Sequence, residues 1–257
     1  MGNWNQFSTN EDQGMICETV SLAGHNGDQI NAYVARPAND TPKGSIVLIA
    51  HMPGWDELYR EFARRYAHHG FNVISPNIFG RYGDGGSPDD ASAAARADGG
   101  LPDASVIGDA LAAKEWITSK PYSNGKVGVT GTCSGGRHSY LIAAKTGAFD
   151  AIINCWGGRT VMKPEELTER QPESPAALTA NLNCPVLGLF GNDDQNPNPE
   201  MVNEVEAELK KHGKDYEFHR YDGAGHGFWY LDRPAYRPEA AIDSWNKAFA
   251  FFEKHLS

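Results

Sequence analysis

The stretch Lys126–Tyr140, KVGVTGTCSGGRHSY, passes from an apolar run through a glycine-rich turn straight into a helical pattern. It reads as strand, tight turn and helix. A signature of the form Gly-x-nucleophile-x-Gly sets a nucleophile on such a turn at the carboxyl end of a central strand, where small flanking residues let strand and helix approach closely. Gly131, Thr132, Cys133, Ser134 and Gly135 fill that pattern. A frame centred on Ser134 would put Thr132 and Gly136 at the glycine positions and satisfy only one of them. Cys133 is therefore the candidate nucleophile. A phosphate-binding loop is excluded, because no Lys-Ser/Thr pair follows the glycines and GxGxxG spacing is absent.

Upstream of this elbow, Ile16 to Leu22 and Ile30 to Arg36 alternate or carry β-branched residues on either side of GHNGD, which predicts a hairpin at a sheet edge. Ser45 to Ala50, SIVLIA, is a continuous apolar run of the kind buried on both faces of a parallel sheet. Asp56 can cap the helix ELYREFARRYAHHG, whose Leu58, Phe62, Tyr66 and Ala67 share a face before Gly70 ends it. Phe71 to Pro76 supplies the next strand and leads into NIFGRYGDGGSPDD, read as a loop. Asp103 to Ser119 is a helix. Beyond the elbow come the strand Ala151 to Cys155, a poorly periodic insertion from Thr160 to Cys184 that could lie over the site, and the strand Pro185 to Phe190. Helix Glu200 to His212, strand Tyr216 to Tyr221 and helix Pro238 to His255 close the pattern. Helices alternating with apolar strands imply an α/β fold with a mostly parallel sheet covered on both faces.

Composition narrows the class. The 257 residues, 40% hydrophobic, suffice for one large core, so residues 1–257 are expected to form a single domain. A net charge of −10 disfavours nucleic acid and anionic lipid as partners. No apolar run approaches the roughly 20 residues of a membrane span. MGNWNQFSTNEDQG lacks a basic start followed by an apolar core, and Cys17, Cys133, Cys155 and Cys184 show no close pairing. A cytoplasmic protein, monomer or homodimer, is the expectation. Cys17, Cys155 and Cys184 read as packing residues. His68 and His69 adjoin each other rather than standing three or four apart on one helical face, and no HExxH or Cys/His cluster occurs, so no metal and no cofactor is expected.

A cysteine nucleophile needs a base for its proton and a carboxylate to orient that base. In α/β-hydrolases these follow the nucleophile in the order Asp or Glu, then His, each after a later strand. Asp194 follows PVLGLF and His226 follows EFHRY within DGAGHGF. Asp193 competes with Asp194 for the carboxylate role. Oxyanion donors are sought at the residue after the nucleophile and in the turn after an earlier strand. They are the backbone N–H groups of Ser134 and, because Pro53 has none, of Met52.

With GTCSGG around Cys133, GNDD after a strand and AGHGF around His226, the sequence resembles the dienelactone hydrolase family over nearly its whole length. The resemblance implies an α/β-hydrolase fold and hydrolysis of a small ester or lactone through an acyl-thioester. It assigns Cys133 as nucleophile, His226 as general base and then acid, and Asp194 as the orienting carboxylate, two residues beyond Gly191 being the family count. Thioester hydrolysis on the same triad and a non-catalytic binding protein are the alternatives. The family places a glutamate against the resting cysteine, and the ungapped position here is His51. It holds a substrate carboxylate with two arginines. Arg81 matches the first, whereas Tyr230 stands where the second is expected, leaving Arg137 and Arg159 as possible replacements. His51, Arg81 and Trp156 are the expected substrate-binding residues, with Tyr82, Phe228 and Trp229 as further candidates for the pocket lining.

Overall fold

In a computed structural model that describes residues 14–83 and 86–257, the GHNGD segment turns Met15–Ala23 (β1) back onto Gln29–Pro37 (β2). The two strands pair antiparallel from Met15 opposite Pro37 to Ala23 opposite Gln29. Asn26 and Gly27 take up the reversal with φ of 56° and 82°, values open to asparagine and glycine at little cost. β1 is the solvated edge. The N-terminal segment through residue 13, on which the reading of MGNWNQFSTNEDQG rests, lies outside the described residues.

Inward from the hairpin come Asn72–Pro76 (β4), Lys43–Ile49 (β3), Ser123–Thr132 (β5), Ala151–Cys155 (β6), Val186–Gly191 (β7) and Tyr216–Tyr221 (β8). This gives an eight-stranded sheet in the order β1-β2-β4-β3-β5-β6-β7-β8, parallel from β4 onward. β3, β4 and β6 are buried almost throughout, as strands covered on both faces must be. The connections are Glu57–His68 (α1), Pro88–Ala97 (α2), Asp103–Thr118 (α3), Ser134–Thr146 (α4), Pro199–Lys211 (α5) and Pro238–Leu256 (α6). Asp56 caps α1 by accepting from Tyr59 N–H at 3.2 Å. The buried face of α1 packs through rings: Phe62 lies edge-on to Trp229 in the loop after β8 and to Trp245 on α6, at 5.7 and 5.2 Å between centroids. Each such pair adds about 0.5–1.5 kcal/mol beyond burial alone.

Two segments differ from the sequence reading. NIFGRYGDGGSPDD is not loop to its end: Ser87 caps a helix that begins at Pro88, its side chain accepting from Asp90 N–H. Pro88 suits a first helical position, where no donor is needed. Positions 84 and 85 of that segment lie outside the described residues. The Thr160 to Cys184 stretch folds as short 3₁₀ turns at Pro164–Glu166 and Pro175–Asn181, the second packed against α4 and α5.

The close approach that sets the elbow is visible at its glycines. A Cβ on Gly131 would collide with the carbonyl of Ile49 and the backbone of Gly135, and one on Gly135 would collide with the same Ile49 carbonyl. β3, β5 and the first turn of α4 are thus in backbone contact, and only glycine fits at both positions.

Candidate active site

Cys133 stands between β5 and α4 with φ 55° and ψ −126°, a strained backbone for a residue with a side chain. The surroundings hold it there. Its N–H donates to Cys155 O at 3.1 Å, and its carbonyl accepts from Gly136 and Arg137 N–H at 3.0 and 3.2 Å. The half-buried side chain opens onto a cavity of about 530 Å³ at the carboxyl end of the sheet, whose wall includes Met52, Ser134, Arg137, Arg159, Asp194 and His226.

His226 follows β8 and Asp194 follows β7. Asp194 is buried, and His226 Nδ1–H donates to its Oδ2 at 2.8 Å. The other carboxylate oxygen accepts from Asn196 N–H at 2.8 Å. Burial opposes charging of His226, yet its hydrogen bonds to Asp194 and Cys133 push its pKa up to about 10. Asp193 is exposed, and its N–H is engaged with Ala224 O at 2.9 Å. Ser134, as the first residue of α4, contributes one of the helix's leading N–H groups, which have no acceptor within the helix. Met52 lies on the facing wall with its carbonyl accepting from Arg96 Nη1 at 3.3 Å.

Three expected substrate-binding residues are placed elsewhere. Arg81 lies away from the cavity. Its guanidinium is clamped on the buried carboxylate of Asp109 at 2.7 and 2.9 Å and on Asp28 at 2.7 Å, because the 3₁₀ turn after β4 aims it toward α3. Trp156 is fully buried, its positive φ of 37° tucking the ring among Phe228, Trp229 and Tyr230 in the core. His51 is also fully buried and does not reach the thiol: Nε2 meets Asp56 Oδ2 at 2.9 Å and Nδ1 meets Tyr230 Oη at 3.0 Å. Tyr82 pairs with Asp98 and Arg170 instead of lining the cavity.

Of the two alternative arginines, Arg137 is buried and bidentate on Asp103, at 2.6 and 3.0 Å. Arg159 donates to Glu166 O at 3.0 Å and reaches Gln171 Oε1 at 3.4 Å. Gln171 brings the Thr160 to Cys184 segment to the rim, and Gln195 and Asn196 close the side near Asp194. Gln195 and Asn196 carried no signal in sequence beyond their nearness to Asp194, and Gln171 none beyond its place in that insertion. Cys155 and Cys184 are buried and half-buried, and burial raises both thiols; Cys17 is exposed on β1 rather than packed. No group of three or more His, Cys, Asp or Glu among the described residues is arranged to hold a metal ion, and no helix among them is long and apolar enough to cross a membrane.

A mostly parallel sheet with helices on both faces, a strained elbow at the end of its central strand and a histidine–carboxylate pair beside it define a hydrolase of the α/β-hydrolase fold. Comparison with known proteins makes the assignment narrower. The model of the dienelactone hydrolase family matches residues 30–256, and the chain belongs to that family. A relative from Methylorubrum extorquens, provisionally named a carboxymethylenebutenolidase, is 31% identical over 244 residues, 94% of this chain and 82% of its own. One from Bradyrhizobium, provisionally named a 2-oxo-3-(5-oxofuran-2-ylidene)propanoate lactonase, is 28% identical over 94% of this chain and 98% of its own. The crystal structure of a provisionally named dienelactone hydrolase from Klebsiella pneumoniae superposes with a TM-score of 0.84 at 27% identity, covering 94% of this chain and 99% of that one.

Proposed function

We propose that this chain, working as one domain, hydrolyses a small ester or lactone through an acyl-thioester on Cys133. The observation that carries the reading is the shared cavity wall, on which Cys133 stands beside a His226 fixed by Asp194 at 2.8 Å. His226 already holds the proton of the thiol in the resting pair, and the thiolate sulfur attacks the substrate carbonyl, forming the C–S bond as the carbonyl π bond opens. The N–H groups of Ser134 and Met52 receive the oxyanion. Collapse of the tetrahedral species breaks the C–O bond, and His226 returns the proton to the leaving alkoxide, which in a lactone stays tethered to the acyl group. Water then attacks the thioester with His226 as base, and the acid leaves.

The lactone substrate is supported by the names of the relatives and by a cavity of about 530 Å³, room enough for a small ring. With Arg81 outside the cavity and Arg137 spent on Asp103, Arg159 is the lining cation best placed to meet a substrate carboxylate. A panel of butenolide lactones, simple esters and thioesters, each with and without a carboxylate, tests this. Turnover of lactones or esters, lost in Cys133→Ala, is expected. Turnover of thioesters alone would move the activity to that class, and no turnover of any member would favour a binding protein.

A further inference from the structure

Beneath the elbow lies a second histidine–carboxylate pair that the reaction above does not use. Thr132, the residue before Cys133, is held at two atoms: its N–H donates to Tyr59 Oη at 3.1 Å, and its Oγ1 lies 2.9 Å from Tyr59 Oη and 2.8 Å from Tyr230 Oη. Tyr230 Oη continues to His51 Nδ1 at 3.0 Å, and His51 Nε2 to Asp56 Oδ2 at 2.9 Å. Apart from Asp56, all of these side chains are buried.

For a His51 that carries one ring proton, donor accounting gives this chain a direction. A backbone N–H can only donate, and a carboxylate can only accept. Asp56 is a carboxylate: burial, the largest influence, would raise its pKa, but His51, Tyr59 N–H and Arg233 together hold it below the ordinary value. Burial lifts both Tyr59 and Tyr230 far above the ordinary phenol range, so both hydroxyls stay protonated. The shortest contacts then run in one order: Thr132 N–H to Tyr59, Tyr59 O–H to Thr132 Oγ1, Thr132 Oγ1–H to Tyr230, Tyr230 O–H to His51 Nδ1, His51 Nε2–H to Asp56. Every hydrogen points toward Asp56. The charged or titratable groups facing this chain are Asp56 and Arg233 at one end and Cys133 at the other, whose charge both tyrosines feel.

A backbone as strained as that of Cys133 costs on the order of 1–3 kcal/mol and persists only where its surroundings over-determine it. We propose that Asp56, His51 and Tyr230 are positioning residues for Cys133, acting through Thr132 as a one-way hydrogen-bond chain whose direction Asp56 sets. The proposal rests on the reading of Cys133 as nucleophile. None of the three touches the substrate. A chain fully satisfied in one direction gives the elbow a single geometry, and reversing it loosens the anchor without removing an atom.

Asp56→Asn performs that reversal. The amide oxygen keeps the cap on Tyr59 N–H, while the amide N–H now faces His51 Nε2. The ring proton moves to Nδ1, which donates to Tyr230 and turns the chain around. With p-nitrophenyl acetate as probe, kcat is expected to fall about 10- to 100-fold, the cost of a misplacement near 1 Å, with KM little changed and the thermal midpoint kept. In a Tyr230→Phe background, where the chain is already cut, Asp56→Asn should add less than about twofold. Thr132→Val cuts the same chain and replaces Tyr230→Phe should that variant fail to fold. Wild-type turnover by Asp56→Asn, or the same loss in both backgrounds, would overturn the proposal. Cys133→Ala is measured alongside: its turnover at the wild-type rate would sink the nucleophile reading itself, whereas an inactive Cys133→Ala with a wild-type-like Asp56→Asn would sink the chain alone.

Discussion

Asp194→Asn separates an orienting carboxylate from a merely buried one. The wild-type side chain accepts twice, from His226 Nδ1 and from Asn196 N–H, both at 2.8 Å. Asparagine keeps the second bond through its oxygen, which turns its N–H groups toward His226. Nδ1 must then accept, so the ring's one proton sits on Nε2 and the imidazolium assigned to hold the Cys133 proton no longer forms. The base is present but in the wrong tautomer. A loss of about 10³- to 10⁴-fold in kcat is expected, as in other triads with this substitution. That loss corresponds to about 4–5.5 kcal/mol of transition-state stabilisation. KM should change little, because Asp194 binds His226 rather than the substrate. Asp193→Asn, at an exposed side chain, should stay within about twofold of wild type, as surface changes usually do. Initial rates on an activated ester at neutral pH, with circular dichroism melts to verify folding, supply the comparison. A folded Asp194→Asn retaining more than a tenth of wild-type kcat, or a larger loss in Asp193→Asn, would refute the assignment.

Arg81→Ala should act on stability rather than on substrate affinity, since it leaves the fully buried Asp109 with only the His25 N–H among the described residues; a loss of about 2–3 kcal/mol is expected, below the full cost of breaking a buried pair because Arg81 is partly solvated. Denaturant melts and KM measured side by side check this, and a raised KM with unchanged stability would return Arg81 to the substrate. The elevated pKa of His226 predicts an imidazolium that persists through neutral pH and is lost as pH rises through about 10. Because the folded value lies above the unfolded one, its stabilising contribution is fully present below about 6.5 and disappears on the alkaline side. Proton NMR of the ring across pH, assigned with His226→Gln, should show the high midpoint falling in Asp194→Asn; a wild-type midpoint near the ordinary value would contradict it.

The fold was legible where backbone constraint writes itself into residue type. Gly131 and Gly135 stand where β3, β5 and α4 touch, and the continuous apolar runs of β3, β4 and β6 announce strands covered on both faces. The α2 helix was hidden because glycines precede it, although Ser87 and Pro88 carry a helix-start signal. Side-chain direction was much less legible. Arg81 and His51 both follow strands whose ends reach the site, yet the 3₁₀ turn after β4 sends Arg81 to α3, and His51 turns under the elbow. Their partners, Asp109 for one and Asp56 and Tyr230 for the other, could not be chosen from spacing. Trp156 was drawn toward the pocket by its place after β6, whereas its left-handed backbone turns the ring into the aromatic core. Tyr230 stood out in sequence only as the absence of an arginine, and its hydroxyl proves to be the link between His51 and Thr132.

The central claim is that Cys133 carries the acyl group. Rapid acid quench of the protein during turnover of an activated ester, followed by peptide mass spectrometry, tests it directly, because a thioester survives at low pH. The acyl mass is expected on the peptide containing Cys133 and absent in Cys133→Ala. An acyl group on Ser134 or on the exposed Cys17, or turnover with no acyl-protein at any time, would contradict the account.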